Sequence, residues 1–327
     1  MKILVAGGAG YIGSVLVPIL LEHGYDVDVI DLLWFGNNLP KEVNVIQKEL
    51  FRCTKEDLEP YEQVVFLAGL SNDPMAEYNP AKNFIDNGAL PAHIAYLAKG
   101  AGVRRFIFAS SCSVYGYTVD KLYDEEAPAV SSYPYGISKL QGELGVLQLA
   151  SPDFSVVSLR QGTISGYSPR MRFDLIVNTM FKTAITQKKV IVNNPSIWRP
   201  IFDIRDAANA FLRAIQASYS ISGVFNVTSE NYTVGQVADL VKAEVQKKTG
   251  DKIGIEMRNI QDFRNYKVAI HKAKTYLGYT PIYSINDIID DLCDHLNVYG
   301  DYEQDKYYNI RVFRKIDTGA FEGMPNR

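Results

Sequence analysis

Lys2-Ile3-Leu4-Val5-Ala6-Gly7-Gly8-Ala9-Gly10-Tyr11-Ile12-Gly13 opens the chain, and its reading decides the rest. Lys2–Ala6 is apolar with no polar alternation, the pattern of a strand covered on both faces. It runs without a spacer into Gly7, Gly10 and Gly13 and then into the helix-length stretch Gly13–His23. Glycines at a strand-to-helix turn let the backbone approach a pyrophosphate, and the helix N-terminus offers unpaired N–H groups and a partial positive charge. Glycines alone would equally serve a tight turn. A second requirement is met one strand later: Val27-Asp28-Val29-Ile30 ends at Asp31, eighteen residues after Gly13. A carboxylate there accepts the ribose hydroxyls of a dinucleotide and repels a 2′-phosphate, so the expected cofactor is NAD rather than NADP.

Working outward, Val43–Ile46, Val64–Ala68, Phe106–Ala109 and Val156–Leu159 read as further short strands, separated by helical stretches at Ala81–Gly100 and Tyr135–Ala150. Such alternation predicts an α/β fold, a doubly wound parallel sheet of Rossmann type. After Arg160 the alternation weakens; a Gly/Ser/Pro-containing stretch (Gly162 to Arg170) precedes a helix at Asp174–Thr186. The strand and apolar helix within Ile201–Gln216 again suit a sheet. The expected division is therefore an NAD-binding domain over 1–165, with 201–229 returning to it. The region 166–327 forms a smaller, interleaved substrate domain.

Composition narrows the function class. The 327 residues are 47% hydrophobic and 22% charged, as in a folded globular chain. With 34 basic and 37 acidic side chains the net charge is −3, which gives no electrostatic basis for holding nucleic acid or an anionic membrane. No apolar run approaches the ~20 residues of a membrane span. Cys53, Cys112 and Cys293 are scattered without a C-x-x-C pair, so the expectation is a cytoplasmic protein without disulfides. No His/Cys/carboxylate cluster has metal-ligand spacing, and no metal is expected.

The catalytic signal is Tyr135-Gly136-Ile137-Ser138-Lys139, following Pro134 at a helix start. The i, i+4 spacing puts Tyr135 and Lys139 on one face. A phenol is a poor base at neutral pH, but a neighbouring ammonium and a positively charged nicotinamide would favour the phenolate. Tyr135 would then take a proton from a sugar hydroxyl. On its own, Tyr-x-x-x-Lys also describes an ordinary solvated helix face. The strand Phe106–Ala109 delivers the small hydroxyls Ser111 and Ser113 to the carboxyl edge of the sheet, where doubly wound folds bind ligands, and Ser111 would hydrogen-bond the reacting oxygen.

In the order and spacing of these residues, together with Phe66-Leu67-Ala68-Gly69 and Asn87, the chain resembles the nucleotide-sugar epimerase/dehydratase family of extended short-chain dehydrogenases/reductases over nearly its whole length. The resemblance implies a catalytic triad of Ser111, Tyr135 and Lys139. It implies NAD contacts at Gly7, Gly10, Tyr11, Ile12, Gly13, Asp31, Glu49, Leu50, Leu67, Ala68, Gly69, Asn87, Tyr135 and Lys139. It places Asn178 at a substrate phosphate or sugar and makes Arg199 and Arg264 candidates for the nucleotide diphosphate, since a guanidinium pairs bidentately with phosphate; each arginine would otherwise be a salt-bridge partner.

Three positions depart from the pattern: Ser71 stands where epimerases have a lysine near the nicotinamide ribose, Thr163 where asparagine is frequent, and Asp203 where histidine is usual. The tyrosines at 299, 302, 307 and 308 match no motif. The expected activity is an NAD-dependent nucleotide-sugar epimerase acting at C4 through a transient 4-keto sugar, and family members pair as homodimers. A one-way dehydrogenase or 4-keto reductase, or a non-catalytic dinucleotide-binding protein, are the alternatives. Dehydration is not expected: the dehydratases carry Thr-Asp-Glu where this chain has Ser111-Cys112-Ser113, which lacks the carboxyl pair for elimination, and nothing in the spacing places another carboxylate, Asp73 or Asp203, at the site.

Overall fold

Ile3, Leu4, Val5 and Ala6 are fully buried, as a strand covered on both faces must be. In the computed structural model, which describes residues 1–258 and 264–321, Lys2–Ala6 lies inside a seven-stranded sheet. The spatial order is Gly223–Val227, Ser155–Gln161, Arg105–Ser111, Gln63–Phe66, Lys2–Ala6, Asp26–Asp31 and Asn44–Gln47. Every neighbouring pair is parallel. The chain first builds outward on one side of Lys2–Ala6, then crosses back and builds on the other. Carboxyl ends diverge at such a reversal and leave a crevice, here between Gly7 and Leu67–Gly69. Asn44–Gln47, at one edge of the sheet, is partly exposed.

Helices cover both faces. The expected helix Ala81–Gly100 is interrupted: Pro80–Phe84 gives way to a widened π-turn at Ile85–Ala89 before Leu90–Gly100. Pro91 has no N–H to give the Asn87 carbonyl, and Gly142 on the neighbouring helix Pro134–Leu147 lies so close that a Cβ there would sit 2.2 Å from that carbonyl oxygen. The widened turn precedes the proline and lets the two helices touch.

Trp198–Asp203 and the helix Ile204–Gln216 connect the two parts of the molecule. Phe202, Ala207, Phe211 and Ile215 join the core beneath the large sheet, and the fully buried Arg105 clasps the end of this helix by donating to the carbonyls of Ala214 (2.8 Å) and Ala217 (2.6 Å). A second core, containing Phe173, Phe181, Val190, Val237 and Ile288, organises the remainder. The unassigned tyrosines belong there. Phe173 meets Tyr299 and Tyr307 at ring separations of 5.1 Å, and their hydroxyls find backbone carbonyls, as buried phenols require. No described helix is long and apolar enough to cross a membrane.

Candidate active site

A cleft of about 790 Å³ follows the crevice from the glycine turn to the mouth between the two cores. At one end backbone makes the wall. Gly7 has φ +80°, and a Cβ there would fall 2.6 Å from the Ala68 nitrogen; one on Gly13 would fall 2.2 Å from the Gly8 carbonyl oxygen. Gly10 is closed by the Gly7 carbonyl at 3.1 Å. The turn is thus bare by necessity, and its surface suits a pyrophosphate. Asp31 sits at the lip, its carboxylate accepting from the N–H groups of Ala9 (3.0 Å) and Leu33 (2.8 Å). Burial pushes its pKa up, against these hydrogen bonds and the nearby Arg170 charge. A glycine cradle and an oriented carboxylate in one crevice fit a dinucleotide. Glu49, Leu50, Leu67, Ala68, Gly69, Tyr11 and Ile12 line the same wall.

Asn87 is not part of that wall. It is buried, and its Nδ2 donates to the Leu70 carbonyl (2.9 Å) and to Asn83 (2.8 Å). Its Oδ1 lies 2.2 Å from where a Gly69 Cβ would be. Asn87 therefore shapes the loop that lines the cleft, and its buried Oδ1 accepts no hydrogen bond among the described residues.

Ser111, Ser113, Tyr135 and Lys139 converge at the other end. The strand Arg105–Ser111 ends in the cleft, and Ser111 Oγ hydrogen-bonds the Ser113 hydroxyl (3.1 Å) and backbone N–H (3.1 Å). Lys139 reaches under the helix to donate to the Ala109 carbonyl at 3.0 Å, and burial lowers its pKa to about 8. Burial is also the largest effect on Tyr135 and pushes its phenol up; the Asp73 charge acts the same way, while Arg172 and a hydrogen bond with Ser111 pull it down. Cys112, between the two serines, points away, its thiol against the Arg160 carbonyl at 3.2 Å.

The substrate candidates divide. Arg199 and Arg264 line the cleft, Arg199 giving Nη1 to the Trp198 carbonyl (2.9 Å) and to the Arg264 carbonyl, and Arg264 pairing with Asp73. Asn178 does not reach it. Fully buried, Asn178 spends its amide on Tyr11, on Gly166 and on the Arg172 carbonyl (2.8 Å), so the expected substrate contact is instead a clasp between the glycine turn and the second core. Asp203, standing where histidine is usual, caps the helix Ile204–Gln216 and pairs with Arg205. Asp73, which the spacing did not place at the site, lines the cleft, as do Arg170, Arg172, Asp174, Tyr266 and Asn309, to which the sequence assigned no role. Arg172 and Asp174 form a buried pair at 2.8 Å. Asn309, at the start of the C-terminal helix Asn309–Asp317, links Arg170 to Ser71. The close run Arg170-x-Arg172-x-Asp174 was a visible signal; Asn309 had none. No group of three or more His, Cys, Asp or Glu side chains among the described residues is placed to hold a metal ion.

The NAD dependent epimerase/dehydratase family matches residues 3–228, and the chain belongs to that family. The UDP-glucose 4-epimerase of Corynebacterium glutamicum is 26% identical, over 92% of this chain and 97% of its own length. Among solved structures, the UDP-glucose 4-epimerase of Thermotoga maritima with UDP-glucose aligns with a TM-score of 0.81 at 24% identity, over 92% of this chain and 100% of that one. The UDP-glucuronic acid 4-epimerase of Bacillus cereus with UDP-glucuronic acid and NAD gives 0.80 at 22%, over 91% and 99%. At these identities the structural matches speak for the fold.

Proposed function

We propose that the protein is an NAD-dependent nucleotide-sugar epimerase that inverts C4 of a UDP-sugar. The observation that carries this reading is the convergence of Ser111, Tyr135 and Lys139 on the cleft that begins at the glycine cradle. NAD, when bound, supplies a reversible hydride acceptor. The glycine turn and Asp31 would hold its adenosine and pyrophosphate half, with Leu67–Gly69 along the other wall. Tyr135 takes the proton of the C4 hydroxyl and returns it after the 4-keto sugar has turned over, and Ser111 steadies the reacting oxygen. Lys139, held against Ala109, keeps a positive charge beneath the phenol. Arg199 lies along the path for the diphosphate.

The relatives named above act on UDP-sugars, which supports UDP as the nucleotide. Epimerisation is favoured over elimination because position 112 buries a thiol and position 113 offers an alcohol, neither of which replaces a carboxyl acid/base pair. The test is incubation with NAD and UDP-glucose, UDP-galactose and their uronic acid counterparts, read by chromatography and mass. An isomer of unchanged mass with no net NADH is expected. Net NADH would establish a dehydrogenase, and loss of 18 mass units, one water, would establish a dehydratase.

The same reading places the protein in the cytoplasm and makes it a homodimer through the helices Leu90–Gly100 and Pro134–Leu147. On these helices Ile94 is fully buried in the protein's own core, whereas Tyr96 and Leu144 are 66% and 52% exposed. Sedimentation as a monomer at micromolar concentration would refute the dimer.

A further inference from the structure

Asp73 lines the cleft and is not used by the mechanism above. It is 8% exposed, and only one of its carboxylate oxygens is occupied: Oδ2 meets Arg264, whereas Oδ1 is buried and accepts no hydrogen bond among the described residues. A buried acceptor without a donor is costly, and at a binding cleft a ligand hydroxyl can supply the missing donor. Asp73 shares its part of the cleft with Ser111 and Tyr135, and its charge reaches the phenol. Of the arginines that share the cleft, Arg264 pairs with Asp73 itself and Arg172 with Asp174, whereas Arg170 donates to the Asn309 amide oxygen and Arg199 to the carbonyls of Trp198 and Arg264.

We infer that Asp73 reads the sugar ring, its Oδ1 accepting a hydrogen bond from a ring hydroxyl, so that the site takes neutral hexoses and rejects hexuronic acids. The inference rests on the nucleotide-sugar reading and names the substrate class within it. A uronate turned toward Asp73 would set a second carboxylate beside an acceptor that has no donor to offer it, and like charges in a water-poor site repel strongly. A neutral hexose brings only hydroxyls, one of which supplies the donor that Oδ1 lacks.

Calorimetric titration of the NAD-loaded protein with UDP-glucose and with UDP-glucuronic acid tests this. The hexose is expected to bind at least about tenfold more tightly, a preference set by one unfavourable charge contact. Asp73→Asn preserves volume and removes the charge, so the preference should shrink by about tenfold or reverse, which loss of a purely structural contact would not do. Equal affinities in the unaltered protein would overturn the inference, as would an unchanged ratio in the variant. Should the variant fail to fold, the ratio in the unaltered protein still decides. Binding of neither ligand would overturn the nucleotide-sugar reading itself, an outcome distinct from equal binding of both.

Discussion

The two ends of the cleft are built from different material. The cofactor end is backbone: the turn Gly7–Gly13, the facing Leu67–Gly69 and one oriented carboxylate, Asp31, with a Cβ excluded at 2.2 to 2.6 Å from Gly13 and Gly7. The substrate end is side chain: Ser111, Tyr135 and Lys139 from adjoining strand and helix, Asp73 from the loop beyond Gln63–Phe66, Arg172 and Asp174 from the second core, Arg199 and Arg264 from beyond it. A pyrophosphate presents the same shape in every dinucleotide, so a fixed backbone surface serves it. A sugar is distinguished by hydroxyls and charge, which only side chains can match. The difference predicts that substitutions at one end leave the other's task intact.

The largest expected effect tests that separation from the substrate side. Replacing Tyr135 with Phe removes the proton acceptor and little volume; turnover should fall by about 10² or more while NAD affinity stays nearly unchanged. Comparable losses in both, measured by kinetics and fluorescence titration, would show that the two ends are one unit. From the cofactor side, Gly13→Ala drives a methyl into the Gly8 backbone at 2.2 Å, whereas Gly10→Ala meets only the Gly7 carbonyl at 3.1 Å. NAD affinity should drop by about tenfold or more for the first and by clearly less for the second. Equal losses would mean that the turn is held by something other than these close approaches.

Legibility in the sequence follows the same division. The glycine turn, Asp31 and the Tyr135/Lys139 helix were readable because each is a local pattern of strand, turn and helix, and the buried strands announced themselves by unbroken apolar runs. The substrate end was readable in part. Arg199 and Arg264 line the cleft, but Asn178, chosen at a family position, proved to be a fully satisfied internal clasp. Asp73 was not placed and Asn309 was not found because their positions depend on how the helix Asp73–Tyr78 and the C-terminal helix meet the second core, a long-range packing result with no local signature. Asn309 joins Arg170, 139 residues away in sequence, to Ser71, 238 residues away.

The smallest expected effect concerns Lys139, where the needs of the reaction oppose those of the fold. Its Nζ is buried with no carboxylate partner described, donating to the Ala109 carbonyl at 3.0 Å and lying 5.3 Å from the Phe108 ring centroid. Burial lowers its pKa from 10.5 to about 8. A shift of that size corresponds to roughly 3 kcal/mol against the charged form. The lost hydrogen bond and the lost ring contact would each return about 1 kcal/mol to the lysine's side. Lys139→Met, similar in length and uncharged, should therefore be more stable at pH 7 by about 1 kcal/mol, a rise in Tm of roughly 2 °C, while turnover is impaired. The sign with pH is fixed by linkage. Below about 8 the lysine is charged in both states, and the full penalty is present. Between about 8 and 10.5 the unfolded chain keeps the proton that the folded protein has lost, so the stability of the unaltered protein rises with pH and the advantage of the variant shrinks. Thermal melts of both proteins, freed of dinucleotide, at pH 7, 9 and 10 would show this convergence; a gap independent of pH would mean that Lys139 is not held charged at a cost, and that the substrate end carries no stored electrostatic strain.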